Sequence, residues 1–166
     1  MGTNGTIAVK AGDTTLRVYN HYDSYPTWLG AQFAKFVRNT DATTIRQRVE
    51  ALTLVDENAV CPEDVLETLK ASGIWENVSM GNDWYAALRG AQGNFETYLL
   101  LGYAPKWEGG DDQEWGYLAN FDTRTFHVTY FGEPVASLPF DAVIRWTEDQ
   151  LREQMTKIEN SIYNAE

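Results

Sequence analysis

The period of the apolar residues changes three times along this chain, and one element cannot satisfy two periods. Ile7 and Val9, then Leu16 and Val18, alternate with small or polar neighbours over residues 6–20. Alternation at every second position marks a half-buried strand, and the break at Ala11-Gly12-Asp13 makes the two runs a hairpin. From Leu29 the spacing becomes helical, through Phe33, Phe36 and Val37. Pro26 suits the first turn of that helix, and Asp23, Ser24 or Thr27 is placed to cap it. A second helix fits residues 44–54, on Ile45, Val49 and Leu52. A third is opened by Pro62, Glu63 and Asp64 and closed by Gly73, with Val65, Leu66 and Leu69 facing the core. A shorter one over residues 83–91 rests on Trp84, Ala87 and Leu88.

The period then shortens again. Residues 95–103, 115–121 and 125–131 are rich in aromatic and β-branched side chains and read as strands. Residues 106–113 hold Gly109-Gly110 and Asp111-Asp112 and read as a mobile loop. Residues 147–163 return to helical spacing on Leu151, Met155, Ile158 and Ile162. Hairpin, helical middle, three strands and terminal helix predict an α+β fold. Its largely antiparallel sheet should have about five strands, packed with about four to five helices. With 166 residues, 43% of them apolar, the chain suits one domain over residues 1–166. The pattern does not specify strand order.

Charge and cysteine content narrow the function classes. The net charge is −11, unevenly placed: residues 1–50 carry six Lys/Arg against four Asp/Glu, the remainder seven against twenty. Such a surface repels phosphate backbones, which argues against direct nucleic-acid binding and for a protein partner with a basic surface. Solubility alone is the plainer explanation of the acidity. No apolar run approaches a membrane span, and the start lacks a signal-peptide pattern. Gly2 and Thr6 match the myristoylation pattern M-G-x-x-x-[ST], without the basic patch or second anchor that stable attachment needs. Cys61 is the single cysteine. An internal disulfide or thiolate cluster is therefore excluded, a reducing cytoplasmic setting is expected, and the sequons at Asn4 and Asn77 lose their relevance.

The densest chemistry lies in residues 19–30, YNHYDSYPTWLG. Alternation puts Arg17, Tyr19 and His21 on one strand face, and a helix start beside them offers backbone N–H groups. The candidate binding residues are Tyr19, His21, Asp23, Tyr25 and Trp28. If the protein is an enzyme, His21 and Asp23 are its acid–base pair. The alternative is structural, with Asp23 or Ser24 capping the helix while His21 and the tyrosines pack at the sheet end. Asp111, Asp112 and Glu114 form a second, acidic candidate surface without the spacing of a calcium loop. His127 should face solvent from its strand, with Thr125 and Thr129. No nucleophile elbow, phosphate loop or zinc-type spacing is present, so neither metal nor cofactor is expected. The apolar seam of the last helix can pack on its own sheet or pair with a second copy in a homodimer.

The start of the chain resembles a group of small phage and prophage proteins. These begin M-G-T with a hairpin, then carry Y-x-H-x-D-G-Y-P followed two or three residues later by a glycine. Tyr19, His21, Asp23, Tyr25, Pro26 and Gly30 match, while Ser24 stands where the group has glycine. Residues 117–123 are similar to that group's strand before a D-x turn. The resemblance implies a phage origin, and hence a host-cell cytoplasm, more than an activity. The expectation is an accessory protein, more a binding protein than an enzyme. It would bind and inhibit a host protein, such as a nucleic-acid-processing defence complex, through an acidic, aromatic-rich surface. The rival is a nucleotide- or small-ligand-binding protein, or a hydrolase, with its site at residues 19–26.

Overall fold

β1 (Gly5–Ala11) and β2 (Thr14–Asn20) pair antiparallel, Val9 against Leu16 and Gly5 against Asn20. Gly12 turns the chain at φ +62, a conformation that costs glycine little. A computed structural model describes residues 3–73, 81–110 and 112–164. Gly2, Asn77 and Asp111 lie outside the described residues.

After β2 the chain enters a wide helical turn, Pro26–Gly30, that runs directly into α1 (Ala31–Arg38). α2 (Ala42–Glu50) is capped by Asp41, whose carboxylate accepts the Thr44 N–H at 2.8 Å. It ends sooner than the spacing of residues 44–54 predicts, because residues 53–55 form β3 (Thr53–Val55) instead. α3 (Glu63–Ala71) buries Leu66 and Leu69 of its expected core face and leaves Val65 half-buried, and Gly73 follows it at φ +84. The segment predicted as a helix over residues 83–91 divides into α4 (Trp84–Ala87), capped by Asp83, and a single tighter turn, Arg89–Ala91.

Residues 95–103 are not the expected strand. They form α5 (Phe95–Leu101), which leads into β4 (Tyr103–Pro105), paired parallel with β3. The apolar stretch Tyr98–Leu101 is too short to separate helix from strand by period, so the ends of the segment decide. Asn94 accepts the Thr97 N–H at 3.2 Å, and Gly102, at φ +83, closes the last turn onto the Tyr98 carbonyl.

β5 (Trp115–Asn120) and β6 (Thr125–Tyr130) lie within their predicted ranges. The fifth strand of the large sheet is β7 (Glu133–Pro139), whose two prolines hid it. It lies at the sheet edge, where proline is tolerated and discourages pairing with another chain. α6 (Phe140–Arg145) was likewise unmarked by the pattern, and α7 (Glu148–Tyr163) opens with a capping box of Thr147 and Gln150. Among the described residues there are thus seven helices, where the pattern gave four to five.

The sheet order is β2-β1-β5-β6-β7, antiparallel except for the parallel join of β1 to β5. The α+β class with a mostly antiparallel sheet therefore holds. Helices cover one face. Ile7, Val9, Val18, Trp115, Tyr117, Phe126 and Val128 meet Leu29, Phe33, Val37, Phe95, Leu151 and Met155 in one core. The seam of α7 thus packs inside its own molecule. No helix among the described residues is long and apolar enough to cross a membrane.

Candidate functional site

Asn20, the last residue of β2, organises the bend that follows. Its side-chain amide donates to the Tyr22 carbonyl and, at 3.1 Å, to Ser24 Oγ. Ser24 is fully buried, its N–H donates to Thr3 Oγ1 at 2.8 Å, and its carbonyl accepts the Tyr117 hydroxyl at 2.7 Å. The serine fits because a bare glycine faces it: a Cβ on Gly5 would lie 2.7 Å from the Ser24 Cβ. None of the three expected caps acts as one. Tyr25 occupies the cap position without a side-chain bond, and the Thr27 hydroxyl donates to Glu159 at 2.8 Å. Asp23 is exposed at φ +51, and its carboxylate has no hydrogen bond or ion pair among the described residues.

A row of rings crosses the surface at this end of the sheet. Trp107 stacks on Tyr19, with centroids 5.0 Å apart and planes 15° apart. The Tyr19 hydroxyl lies 3.0 Å from His21 Nδ1, and the imidazole meets Tyr22 edge-on at 4.5 Å. The Arg89 guanidinium sits 5.0 Å from the Tyr22 ring centre and 5.4 Å from that of Tyr85, and it also donates to the Tyr85 hydroxyl. The predicted sharing of one strand face by Tyr19 and His21 is thus realised. Burial, reinforced by the phenol of Tyr85 and the carboxylate of Glu57, raises the Tyr19 pKa. Glu57 is itself held above the ordinary carboxylate value by burial and by the charges of Asp56 and Asp83.

The acidic loop reaches the same place. Trp107 Nε1 donates to the Gly110 carbonyl at 3.0 Å, and Gly109 lies so close to the indole that a Cβ would collide with it. Residues 107–110 of the loop expected to be mobile are therefore curled round a ring that is stacked on Tyr19. Glu108 and Asp112 are exposed along it. Glu114 is turned inward: its N–H donates to Asn4 Oδ1 at 3.1 Å, and its carboxylate accepts the Tyr163 hydroxyl at 3.5 Å. Tyr25, half-buried, meets Tyr163 edge-on at 6.1 Å and stands apart from the row.

On the other side of Tyr22 lies an open depression of ≈ 370 Å³, bordered by Tyr22, Asp23, Trp28, Gln32, Arg89 and Gln92. His21 is not part of its lining. The imidazole is engaged by Tyr19 while Asp23 faces the depression, so the pair proposed as acid and base is not brought together. The other potential nucleophiles are poorly placed. Cys61 is buried, with its thiol pKa raised by burial and then by Asp64, which leaves little reactive thiolate. His127 Nδ1 lies 2.9 Å from Ser137 Oγ, its cross-strand neighbour, and has no carboxylate partner among the described residues. Among the described residues no group of three or more His, Cys, Asp or Glu is placed to hold a metal ion.

Tyr22, Glu57, Tyr85, Arg89 and Trp107 are the residues of this site that the sequence did not single out. Only Tyr22 lay within the suspect stretch, and nothing in the spacing linked the others to it. Protein-family models, curated proteins and solved structures yield no match to this chain.

Proposed function

We propose that this protein is a phage-type accessory protein that binds a host protein with a basic surface and blocks it. The target class we favour is a nucleic-acid-processing defence complex. The observation that carries the reading is the stacking of Trp107 on Tyr19, which joins the acidic loop to the aromatic junction in one surface. Rings are available along the row, Tyr22 being 53% exposed. Carboxylates flank it at both ends, Glu57 and Asp83 beside Tyr85, Glu108 and Asp112 beside Trp107. Arg and Lys side chains of a partner can stack on such rings and pair with such carboxylates. The net charge of −11 would also speed encounter with a basic surface.

Capture from host lysate tests this, using wild-type protein and the Tyr22→Ala/Trp107→Ala double variant. A stoichiometric partner should be retained at low salt, released on the order of 0.5 M salt as charges are screened, and lost with the double variant. Recovery of no such partner, or equal capture by the variant, would refute the reading. The depression beside Tyr22 favours a second reading, a small-ligand-binding protein with its site at residues 20–32.

A further inference from the structure

The geometry points to the depression lined by Tyr22 and Trp28 as a binding site for a neutral saccharide. This inference rests on the small-ligand reading and does not depend on a protein partner. Its first support is the pair of rings. Trp28, 60% exposed, and Tyr22, 53% exposed, both line the hollow, and the Trp28 indole has no ring partner among the described residues. A sugar ring has an apolar face of C–H groups that gains dispersion and loses water when laid on such a surface.

The second support is the polar lining. Asp23 supplies acceptors, Arg89 supplies donors, and the amides of Gln32 and Gln92 supply both. These are planar groups that can hydrogen-bond adjacent hydroxyls in pairs. Two of them are held in place: Gln92 Oε1 accepts the His21 N–H at 3.0 Å, leaving its NH2 to donate, and Arg89 is fixed over the Tyr22 and Tyr85 rings. Asp23 is kept at φ +51 by the bonds that flank it, from Asn20 to the Tyr22 carbonyl and from the Ser24 N–H to Thr3. Such a strained, unpartnered carboxylate at the edge of a hollow is an arrangement that folding alone does not require.

Charge selects among polar ligands. One cation, already bonded to Tyr85, and one carboxylate leave the lining without net charge, in a molecule of net charge −11. A phosphate or nucleotide would be repelled by both the carboxylate and the overall field, whereas a neutral polyol would not. The volume, ≈ 370 Å³, lies in the range of small-ligand sites and suits one or two sugar rings.

The test is a titration of the intact protein, read by tryptophan fluorescence and by ligand-observed NMR. The probes are maltotriose, cellotriose and tri-N-acetylchitotriose, with AMP as the anionic comparison. At least one trisaccharide should saturate below about 10 mM and AMP should not. Trp28→Ala and Asp23→Asn should each weaken binding by about tenfold or more at unchanged melting temperature, and His127→Ala, outside the hollow, should leave it intact. Saturation by AMP alone would overturn the saccharide assignment and keep the small-ligand reading. Failure of all four probes would overturn both, and saccharide binding that survives Trp28→Ala and Asp23→Asn would move the site elsewhere.

Discussion

Gly30 stands where the chain enters α1, directly against the buried Tyr117 ring. It has ordinary helical angles, φ −59 and ψ −47, so alanine would be favoured there by about 1 kcal/mol if space allowed. Space does not allow it. A Cβ on Gly30 would lie 2.8 Å from Tyr117 Cε1 and 3.2 Å from Cζ. The Tyr117 ring cannot easily yield, because it is fully buried and its hydroxyl is tied to the Ser24 carbonyl at 2.7 Å. Overpacking costs about 1–3 kcal/mol, and a buried carbonyl stripped of its donor costs a similar amount. Against the gain in helix propensity, Gly30→Ala should destabilise the fold by about 3 kcal/mol and lower the melting temperature by roughly 6–12 °C. Scanning calorimetry and urea titration measure this directly. Tyr117→Phe supplies the control, since it removes the hydroxyl and keeps most of the ring. In that background Gly30→Ala should cost less, because an untethered ring can shift. A variant Gly30→Ala that melts at or above wild type would refute the argument. Strict additivity in the double variant would show that the Ser24 bond does not hold the ring.

Two further outcomes follow from the same site. The native pKa of Glu57 is raised above 4.5 by burial first and then by Asp56 and Asp83, so its contribution to stability is complete below 4.5 and is lost as pH rises through the native value. Glu57→Gln cannot ionise and should melt above wild type at about pH 7, with the difference vanishing toward about pH 4; an equal difference at both would exclude ionisation as the cause. Trp107→Ala removes both the stack on Tyr19 and the bond to the Gly110 carbonyl, so tryptic cleavage after Lys106 should accelerate by about tenfold. An unchanged cleavage rate would mean that the loop is held by something other than its tryptophan.

Much of the fold was legible because short-range signals decide it. The hairpin, α3 between Pro62 and Gly73, and α7 on Leu151, Met155 and Ile158 follow from alternation, helical spacing and end signals that act within a few residues. The misreadings share a cause. In α5 the helical spacing of Phe95, Tyr98 and Leu99 covers a single turn and is blurred by the contiguous Leu99, Leu100 and Leu101, so the decision fell to Asn94 and Gly102. In β7 the prolines argued against a strand, and only the edge position, a property of the assembled sheet, makes them acceptable.

The site was half legible for a reason that lies in the sheet register. Alternation was enough to place Tyr19 beside His21, because both belong to one strand end. Bringing Trp107 to them depends on the parallel join, which sets Trp115 opposite Gly5, while the hairpin sets Gly5 opposite Asn20. With Asn20, Gly5 and Trp115 level across three strands, the loop that leads into β5 must emerge at the end of the sheet where β2 finishes. The acidic loop and the tyrosine-rich bend are therefore neighbours by topology before any side chain is considered. Local pattern predicts an antiparallel partner for a strand next to a hairpin more readily than a parallel one reached, among the described residues, through five α-helices. The single join that the pattern could not supply is the one that assembles the surface, and the Tyr19–Trp107 stack then fixes the loop upon it.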